Sequence, residues 1–300
     1  MKPAFIIVLL FCGLPWIMPA AEDLSAPPVT TARAWAIADG GAGKIIASEH
    51  GNEPQKSAST TKIMGALVVL NLAQYDPAVL DEMVTISKLA DATEGSTAEV
   101  KAGEKISVRE GLYGLLLPSG NDMGNALAEH LNARLQPPGK ESPAKLAESA
   151  YRTRRNFIAE MNRMATRLGM HNTCYRLPYG DGGTADDRTT TAEDLVLLAH
   201  EAMKNPLFRA IVKTTEYTGK VRLPKGGTRS LHWENTNLLL KLGAYDGIKT
   251  GKTPSARFCL VARGEHEGRL LIVVVLGAAS DESRFADARN LFRWAWANKK

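Results

Sequence analysis

The chain has 300 residues, of which 44% are hydrophobic and 23% are charged, so its composition is that of a globular protein and excludes a disordered or fibrous chain. Its 37 basic and 32 acidic residues leave a formal charge of +5, and the basic residues are scattered along the sequence. This distribution argues against a nucleic-acid partner and suits a loose attraction to a polyanionic surface. The length allows one large domain or two smaller ones.

The first 21 residues have the pattern of a secretory signal peptide, with a charged start, a short apolar run over 4–14 and the small residues Ala20 and Ala21 before acidic Glu22. The apolar run is shorter than the ~20 residues that a membrane-spanning helix needs. An N-terminal anchor helix is the less favoured alternative, and a bulky preceding residue disfavours lipidation of Cys12. We expect an exported chain that begins near Glu22 and has no stable membrane anchor.

Strand patterns occur at both ends of the remaining chain. Residues 34–38 and 44–48 form a predicted hairpin around a Gly-rich turn. Two further strand-like runs, 257–263 and 270–276, lie near the C-terminus, and the second is a continuous apolar run typical of a strand covered on both faces. An amphipathic helix over 283–297 follows and is expected to pack on that sheet.

Helical patterns fill the middle of the chain. A mostly buried helix is predicted over 60–72, and the region of about 75–210 is helical with intervening turns. Within it, Ser107 and Glu110 have the spacing of a capping box that opens a helix through Leu117. The predicted fold is therefore α/β of the α+β kind, with an antiparallel sheet built from both chain ends, flanking helices and an inserted all-helical region.

The cysteines and histidines do not indicate a metal site. Cys174 and Cys259 remain after loss of the leader, and two buried thiols are favoured over a disulfide, although the spacing leaves pairing open. None of the six histidines stands in an HExxH or CxxC setting. P-loop and GxSxG motifs are also missing from the sequence.

The first motif with chemical content is Ser59-Thr60-Thr61-Lys62, at the start of the helix after the hairpin. Residues three apart on a helix share a face, so the Lys62 amine should lie beside the Ser59 hydroxyl. A serine becomes an effective nucleophile when a neighbouring base takes its proton, and a lysine serves as that base when burial or a nearby cation lowers its pKa. Alone the pattern is weak, because a capped helix with a solvated lysine would show it too.

The second motif is Ser119-Gly120-Asn121, in a break between two predicted helices. Its serine can relay protons and its asparagine can bind a substrate amide. By itself this motif indicates no more than a helix N-cap at Ser119.

The third motif is Lys249-Thr250-Gly251, shortly before the late strands. The lysine and the threonine can bind a carboxylate, and the glycine lets a substrate backbone lie flat along a strand edge. A surface strand with a lysine is the simpler interpretation of this motif alone. All three motifs in this order, each in a suitable element, are far more specific than any one of them.

The three motifs resemble the set found in serine β-lactamases and penicillin-binding proteins. The chain is most similar to the low-molecular-weight penicillin-binding proteins of the serine D-alanyl-D-alanine carboxypeptidase family. The resemblance extends from about Ala34 to Trp296. It includes the segments 58–64, 168–173, 234–237 and 246–251.

The resemblance implies a β-lactamase/transpeptidase-like fold in one catalytic domain over 22–300, with the helical insertion at about 75–210. Larger relatives continue into a second, β-rich domain and an amphipathic membrane anchor, and this chain is expected to lack both. In this respect it resembles the shorter relatives that act as DD-endopeptidases.

The resemblance also implies the catalytic roles. Ser59 attacks the carbonyl of the terminal D-Ala-D-Ala bond of a peptidoglycan stem peptide, and Lys62 takes the serine proton. Ser119 passes a proton to the departing D-Ala, and Lys249 tunes this network. Since Lys249 flanks Lys62, the pKa of Lys62 is expected below the ~10.4 of a solvated lysine. Water then hydrolyses the acyl-enzyme, and no metal or organic cofactor is required.

The implied binding roles involve the second and third motifs. The oxyanion lies between the backbone N–H groups of Ser59 and Lys252, Asn121 holds the peptide and Thr250 holds the terminal carboxylate beside Gly251. The expected partners are thus peptidoglycan peptides, together with β-lactams, which mimic the D-Ala-D-Ala end and acylate Ser59.

Two departures and three alternatives accompany this interpretation. Glu193 stands where many family members have an arginine that helps bind the carboxylate, and the 136–154 segment is longer than expected. A DD-endopeptidase that cuts cross-links uses the same catalytic set. A β-lactam-acylated sensor needs a transmembrane link, which is not visible. A class A β-lactamase needs an ExxxN glutamate that residues 140–175 do not provide, so β-lactam hydrolysis should be slow.

Overall fold

The computed structural model describes residues 26–139, 152–180 and 190–298. The strands within them are β1 (Ala34–Asp39), β2 (Ile45–Glu49), β3 (Met83–Thr85), β4 (Lys105–Ser107), β5 (Glu216–Arg222), β6 (Thr228–Glu234), β7 (Tyr245–Thr253), β8 (Arg257–His266) and β9 (Arg269–Ala278). The α-helices are α1 (Lys62–Tyr75), α2 (Lys88–Asp91), α3 (Val108–Leu116), α4 (Asn121–Leu131), α5 (Arg155–Arg167), α6 (Ala192–Ala202), α7 (Pro206–Lys213) and α8 (Asp281–Ala297). The predicted signal peptide and part of the 136–154 segment lie outside the described residues.

A five-stranded antiparallel sheet is built from both ends of the chain, as predicted. Its strand order is β2-β1-β9-β8-β7, and β9 is the central strand with its last eight residues buried. One face of this sheet packs on α8 and the other on α6, which is why β9 is apolar from Leu270 to its end. β7 lies at the edge, so one side of its backbone faces away from the sheet.

A second sheet is present that the sequence does not predict. β3 and β4 lie inside the region expected to be all-helical, and they join the β5–β6 hairpin in a four-stranded antiparallel sheet of order β3-β4-β5-β6. Each of the two inserted strands has only three residues, too few for an alternating pattern to register. The insertion is therefore mainly helical rather than all-helical, while the mixed α/β fold class is confirmed.

α1 is the helix that begins at the first motif. Its first nine residues, 62–70, are all buried, which confirms the expected mostly buried helix. A short 3₁₀ turn, Ala58–Thr61, leads directly into it and carries Ser59. The break between α3 and α4 contains the second motif, and α3 begins with the predicted cap, since the Glu110 N–H donates to Ser107 Oγ at 3.2 Å.

α8 packs on the large sheet as predicted and begins two residues earlier than expected. Its capping box joins Ser280 and Ser283 reciprocally at the helix start. Cys174 and Cys259 are thiols and are not joined by a disulfide. Within the described parts of the chain, no helix is both long and apolar enough to cross a bilayer.

Candidate active site

Ser59 lies in a tight turn whose own residues hold it in place. The preceding Ala58 has a φ of 44°, a left-handed conformation that a residue with a Cβ rarely adopts. The Thr60 hydroxyl donates to the Ser57 carbonyl at 2.6 Å, and the Ser57 hydroxyl lies 2.8 Å from that of Thr61. These bonds fix the backbone of the turn that carries Ser59 at the start of α1.

Two glycines let neighbouring segments approach this turn. A Cβ on Gly251 would lie 3.1 Å from the Ser59 nitrogen and 3.0 Å from the Ala58 Cβ. Gly180 has a φ of 153°, and a Cβ there would lie 2.9 Å from the Ala58 carbonyl oxygen. β7 therefore lies directly against the Ser59 turn. A side chain at position 251 would clash with the Ser59 turn, so the third motif requires a glycine there. The sequence alone does not reveal this reason.

Lys62 is fully buried, and oxygen atoms of Ser59, Asn121 and Tyr179 lie around its amine. Nζ lies 2.8 Å from Ser59 Oγ, 2.7 Å from Asn121 Oδ1 and 2.8 Å from the Tyr179 carbonyl oxygen. The Asn121 amide is oriented by its own donation to the Glu94 carbonyl at 2.8 Å. Carbonyl oxygens only accept, so Asn121 and Tyr179 take two N–H groups of Lys62. A neutral Lys62 then directs its lone pair at the Ser59 hydroxyl, which is the geometry of a general base.

Asp122 joins the start of α4 to the loop between α2 and β4. This buried carboxylate accepts hydrogen bonds from the Thr97 hydroxyl at 2.6 Å and from the Ala98 N–H at 2.9 Å. The Asn121 N–H also donates to the Ser96 carbonyl, at 2.7 Å. The loop and the second motif thus form one unit, and this unit sets the position of the Asn121 side chain.

Ser119 is placed close to this unit but makes no side-chain bond. It has a φ of 68°, is buried, and its Oγ has no hydrogen-bond partner among the described residues. The structure therefore brings Ser59, Lys62 and Asn121 into one network, and the Ser119 hydroxyl makes no hydrogen bond to it.

Lys249 has a buried amine with a strongly perturbed pKa. Burial, and secondarily the positive charge of Arg284, lower the pKa of Lys249 from 10.5 to about 7. Its Nζ donates to the Thr250 carbonyl at 3.2 Å. Lys249 pairs with Val261, whose side chain lies in the core shared with the helices, whereas Thr250 pairs with Leu260 on the face that packs on α8. The two residues therefore point to opposite faces of β7.

Arg284 of α8 is a second buried cation at the same strand. Its guanidinium donates to the Gly251 carbonyl at 3.0 Å and to the Cys259 carbonyl at 3.4 Å, and it is ion-paired with Asp281. It also lies 4.8 Å from the Phe285 ring centroid. Arg284 and Lys249 together place positive charge beside an edge strand, an arrangement that suits an anionic ligand.

The sequence profile of the D-alanyl-D-alanine carboxypeptidase family matches residues 21–135 and 139–280. The chain belongs to this family. A D-alanyl-D-alanine carboxypeptidase of Streptomyces sp. (strain K15) is 35% identical, over 93% of this chain and 94% of that protein. The carboxypeptidase DacC of Escherichia coli is 33% identical, over 96% of this chain and 66% of its own length. A D-alanyl-D-alanine endopeptidase of Pseudomonas aeruginosa is 32% identical, over 86% of this chain and 75% of that protein.

Solved structures lead to the same family. The crystal structure of the Streptomyces K15 DD-transpeptidase matches with a TM-score of 0.78 at 34% identity, over 91% of this chain and 99% of that one. This match confirms the expected transpeptidase-like fold of this D-alanyl-D-alanine carboxypeptidase family member. Among the residues that the structure describes, no group of three or more His, Cys, Asp or Glu side chains is placed to hold a metal ion.

Several site features of this family member are not visible in its motifs. The carbonyls of Tyr179 and Glu94 have no side-chain signature, so no sequence pattern could have found them. Thr236, whose Oγ1 lies 2.6 Å from Thr250 Oγ1, belongs to one of the segments that carry the family resemblance. Arg284 could have been singled out from the sequence, because it is a charged residue on the buried face of the C-terminal helix.

Glu193 has a different environment from the one that the resemblance suggests. Its two carboxylate oxygens accept hydrogen bonds from Ser48 Oγ and Asn52 Nδ2, both at 2.7 Å. It therefore fastens the start of α6 to the turn after β2.

Proposed function

We propose that the protein is an exported serine DD-peptidase that cleaves the terminal D-Ala-D-Ala bond of peptidoglycan stem peptides through an acyl-enzyme on Ser59. The observation that carries this proposal is the arrangement around the Lys62 amine. The carbonyl oxygens of Asn121 and Tyr179 each lie within hydrogen-bond distance of this amine, and so does the Ser59 hydroxyl. The names of the relatives support the same reaction.

Acylation begins when Ser59 Oγ attacks the carbonyl carbon of the scissile bond and Lys62 Nζ takes the hydroxyl proton. The tetrahedral oxyanion accepts hydrogen bonds from the backbone N–H groups of Ser59 and Lys252. The close approach of Gly251 to the Ser59 nitrogen supports this pairing, because it brings β7 next to the Ser59 turn. The C–N bond then breaks, and the D-Ala amine leaves with a proton delivered through Ser119.

Binding of the substrate uses the open edge of β7. Thr250 donates to the terminal carboxylate, with Lys249 and Arg284 supplying positive charge, while Asn121 holds the peptide. Water attacks the ester of the acyl-enzyme, the peptide leaves with a new carboxylate, and Ser59 recovers its proton. A β-lactam enters the same site and acylates Ser59, and its slow hydrolysis is expected from the missing ExxxN glutamate.

Labelling with a fluorescent penicillin tests the proposed nucleophile. Wild-type protein should be labelled stoichiometrically, and Ser59→Ala should not be labelled although it is folded. The matched control is Ser230→Ala, since Ser230 is an exposed serine on β6 and should leave labelling unchanged. Stoichiometric labelling of Ser59→Ala would refute the assignment.

An assay with two substrates distinguishes carboxypeptidase activity from endopeptidase activity. Monomeric pentapeptide and cross-linked peptide dimer are incubated separately with the enzyme. Release of D-Ala from the pentapeptide supports the proposed carboxypeptidase, whereas cleavage of the dimer alone supports the endopeptidase that the Pseudomonas relative represents. Each reaction is repeated with Ser59→Ala, so that only Ser59-dependent cleavage is counted.

A further inference from the structure

Thr236 joins the second and third motifs through contacts at both of its ends. Thr236 is exposed and lies in the segment that follows β6. Its hydroxyl oxygen lies 2.6 Å from that of Thr250 on β7. Its N–H donates to the Leu117 carbonyl at 3.3 Å, and the same carbonyl lies 3.5 Å from its hydroxyl oxygen. Leu117 precedes Ser119 by two residues. Thr236 therefore contacts the segment that leads to the second motif as well as Thr250 of the third motif.

The backbone around Thr236 is held firmly by the residues on either side. Asn235 donates its amide to the Thr214 carbonyl at 2.9 Å and to the Val212 carbonyl at 3.2 Å. The Asn237 N–H donates to the Asn235 side-chain oxygen at 2.9 Å. The position of the Thr236 hydroxyl against Thr250 is therefore built into the fold.

Two threonine hydroxyls that share one hydrogen bond can be arranged in only two ways, because each carries a single proton. In one arrangement Thr250 donates to Thr236 and presents only lone pairs to a ligand. Thr236 then donates to solvent or to the Leu117 carbonyl, which lies 3.5 Å away, a long distance for a hydrogen bond. In the other arrangement Thr236 donates to Thr250, and Thr250 keeps its own proton for the ligand. A carboxylate only accepts, so it selects the second arrangement.

We propose that Thr236 is a positioning residue for the substrate's terminal carboxylate, since it donates its proton to Thr250 and thereby turns the Thr250 proton toward that carboxylate. This inference rests on the proposed function, in which Thr250 binds the carboxylate of a D-Ala-D-Ala peptide. Thr236 acts through Thr250, so its effect belongs to substrate binding rather than to the acylation step.

A double-mutant cycle with Thr236→Val and Thr250→Val tests the inference, using D-Ala release from a D-Ala-D-Ala peptide as the assay. Loss of one neutral hydrogen bond should raise KM about 5- to 10-fold in Thr236→Val, with kcat changed less than about 2-fold. In the Thr250→Val background, the same substitution should have almost no further effect. Thr236→Ser keeps the hydroxyl and should restore the wild-type KM.

A role as a simple tether would give a different result. Thr236→Val would then change KM and kcat by the same factors in both backgrounds, because the lost contact would be the one to Leu117. That outcome, or a failure of Thr236→Ser to rescue, overturns the inference. Thr236→Ala replaces valine in the cycle if the valine variant unfolds. If wild-type protein releases no D-Ala in a Ser59-dependent way, the proposed function itself fails, which is a separate outcome.

Discussion

Replacing Lys249 by methionine should stabilise the protein, and the gain should be larger at pH 6 than at pH 8. Lys249 is 1% exposed, and burial together with the charge of Arg284 lowers its pKa from 10.5 to about 7. In the unfolded chain the amine is solvated and holds its proton to about pH 10.5. The unfolded state therefore binds more protons than the folded state between pH 7 and pH 10.5, and stability rises with pH in that window.

The size of the effect follows from this shift. Between pH 6 and pH 8 the difference in bound protons grows from nearly zero to nearly one, and its integral is worth about 1.4 kcal/mol of unfolding free energy. Lys249→Met has no amine to titrate. Its advantage over the wild type should therefore shrink by about 1.4 kcal/mol from pH 6 to pH 8.

Urea denaturation followed by circular dichroism at both pH values measures this difference. Lys225→Met is the matched control, because Lys225 is an exposed lysine at the turn between β5 and β6. If the unfolding free energy had the same pH dependence in wild type and Lys249→Met, the lowered pKa assigned to buried Lys249 would be refuted.

In the active enzyme the same titration of Lys249 removes positive charge above pH 7. The KM for a carboxylate substrate should therefore rise from pH 6 to pH 8.

Two further predictions concern the base and the leader. Lys62→Arg keeps a charge but cannot deprotonate, so acylation of Ser59 by a β-lactam should fall by ~10² or more, and a near wild-type rate in stopped-flow measurements would assign the proton to another group. Mass spectrometry of exported protein should show loss of about the first 20 residues, with a new N-terminus near Glu22. An intact N-terminus in a membrane fraction would contradict the leader assignment.

The parts of the molecule that the sequence predicts are those where the chain's local pattern and its tertiary role coincide. Ser59 and Lys62 are three residues apart at a helix start, so helix geometry alone brings them together. The central strand β9 is recognisable because both of its faces are covered and its sequence is apolar from Leu270 onward.

The parts that the sequence misses depend on packing between distant segments. β3 and β4 are strands because the β5–β6 hairpin extends the sheet beside them, and three residues carry no period of their own. The Tyr179 carbonyl reaches Lys62 because the segment around it packs on α1 and α4, where Gly65 and Gly124 leave room for the Pro178 carbonyl. Any residue type supplies such a carbonyl, so the contact leaves no mark in the sequence.

The last prediction tests whether Glu193 has a structural role or a role in substrate binding. Many family members have an arginine at this position that helps to bind the substrate carboxylate. In this chain the Glu193 carboxylate accepts hydrogen bonds from Ser48 and Asn52, and the Glu193 N–H donates to the Gly51 carbonyl at 3.1 Å. We predict that Glu193→Ala lowers the unfolding free energy by about 1–2 kcal/mol, because two partly solvated hydrogen bonds to a charged acceptor are lost.

The same substitution should leave KM for the D-Ala-D-Ala peptide unchanged, whereas Thr250→Val, assayed beside it, should raise KM. Glu193→Gln keeps an acceptor for one of the two donors and should lose less stability than Glu193→Ala, which separates the lost bonds from the lost side chain. A rise in the KM of Glu193→Ala that matches that of Thr250→Val, at unchanged stability, would place Glu193 in the substrate site and contradict its structural role. Because Glu193 is held by Ser48 and Asn52, we propose that the substrate carboxylate binds at Thr250, beside the cations Lys249 and Arg284, and not at position 193.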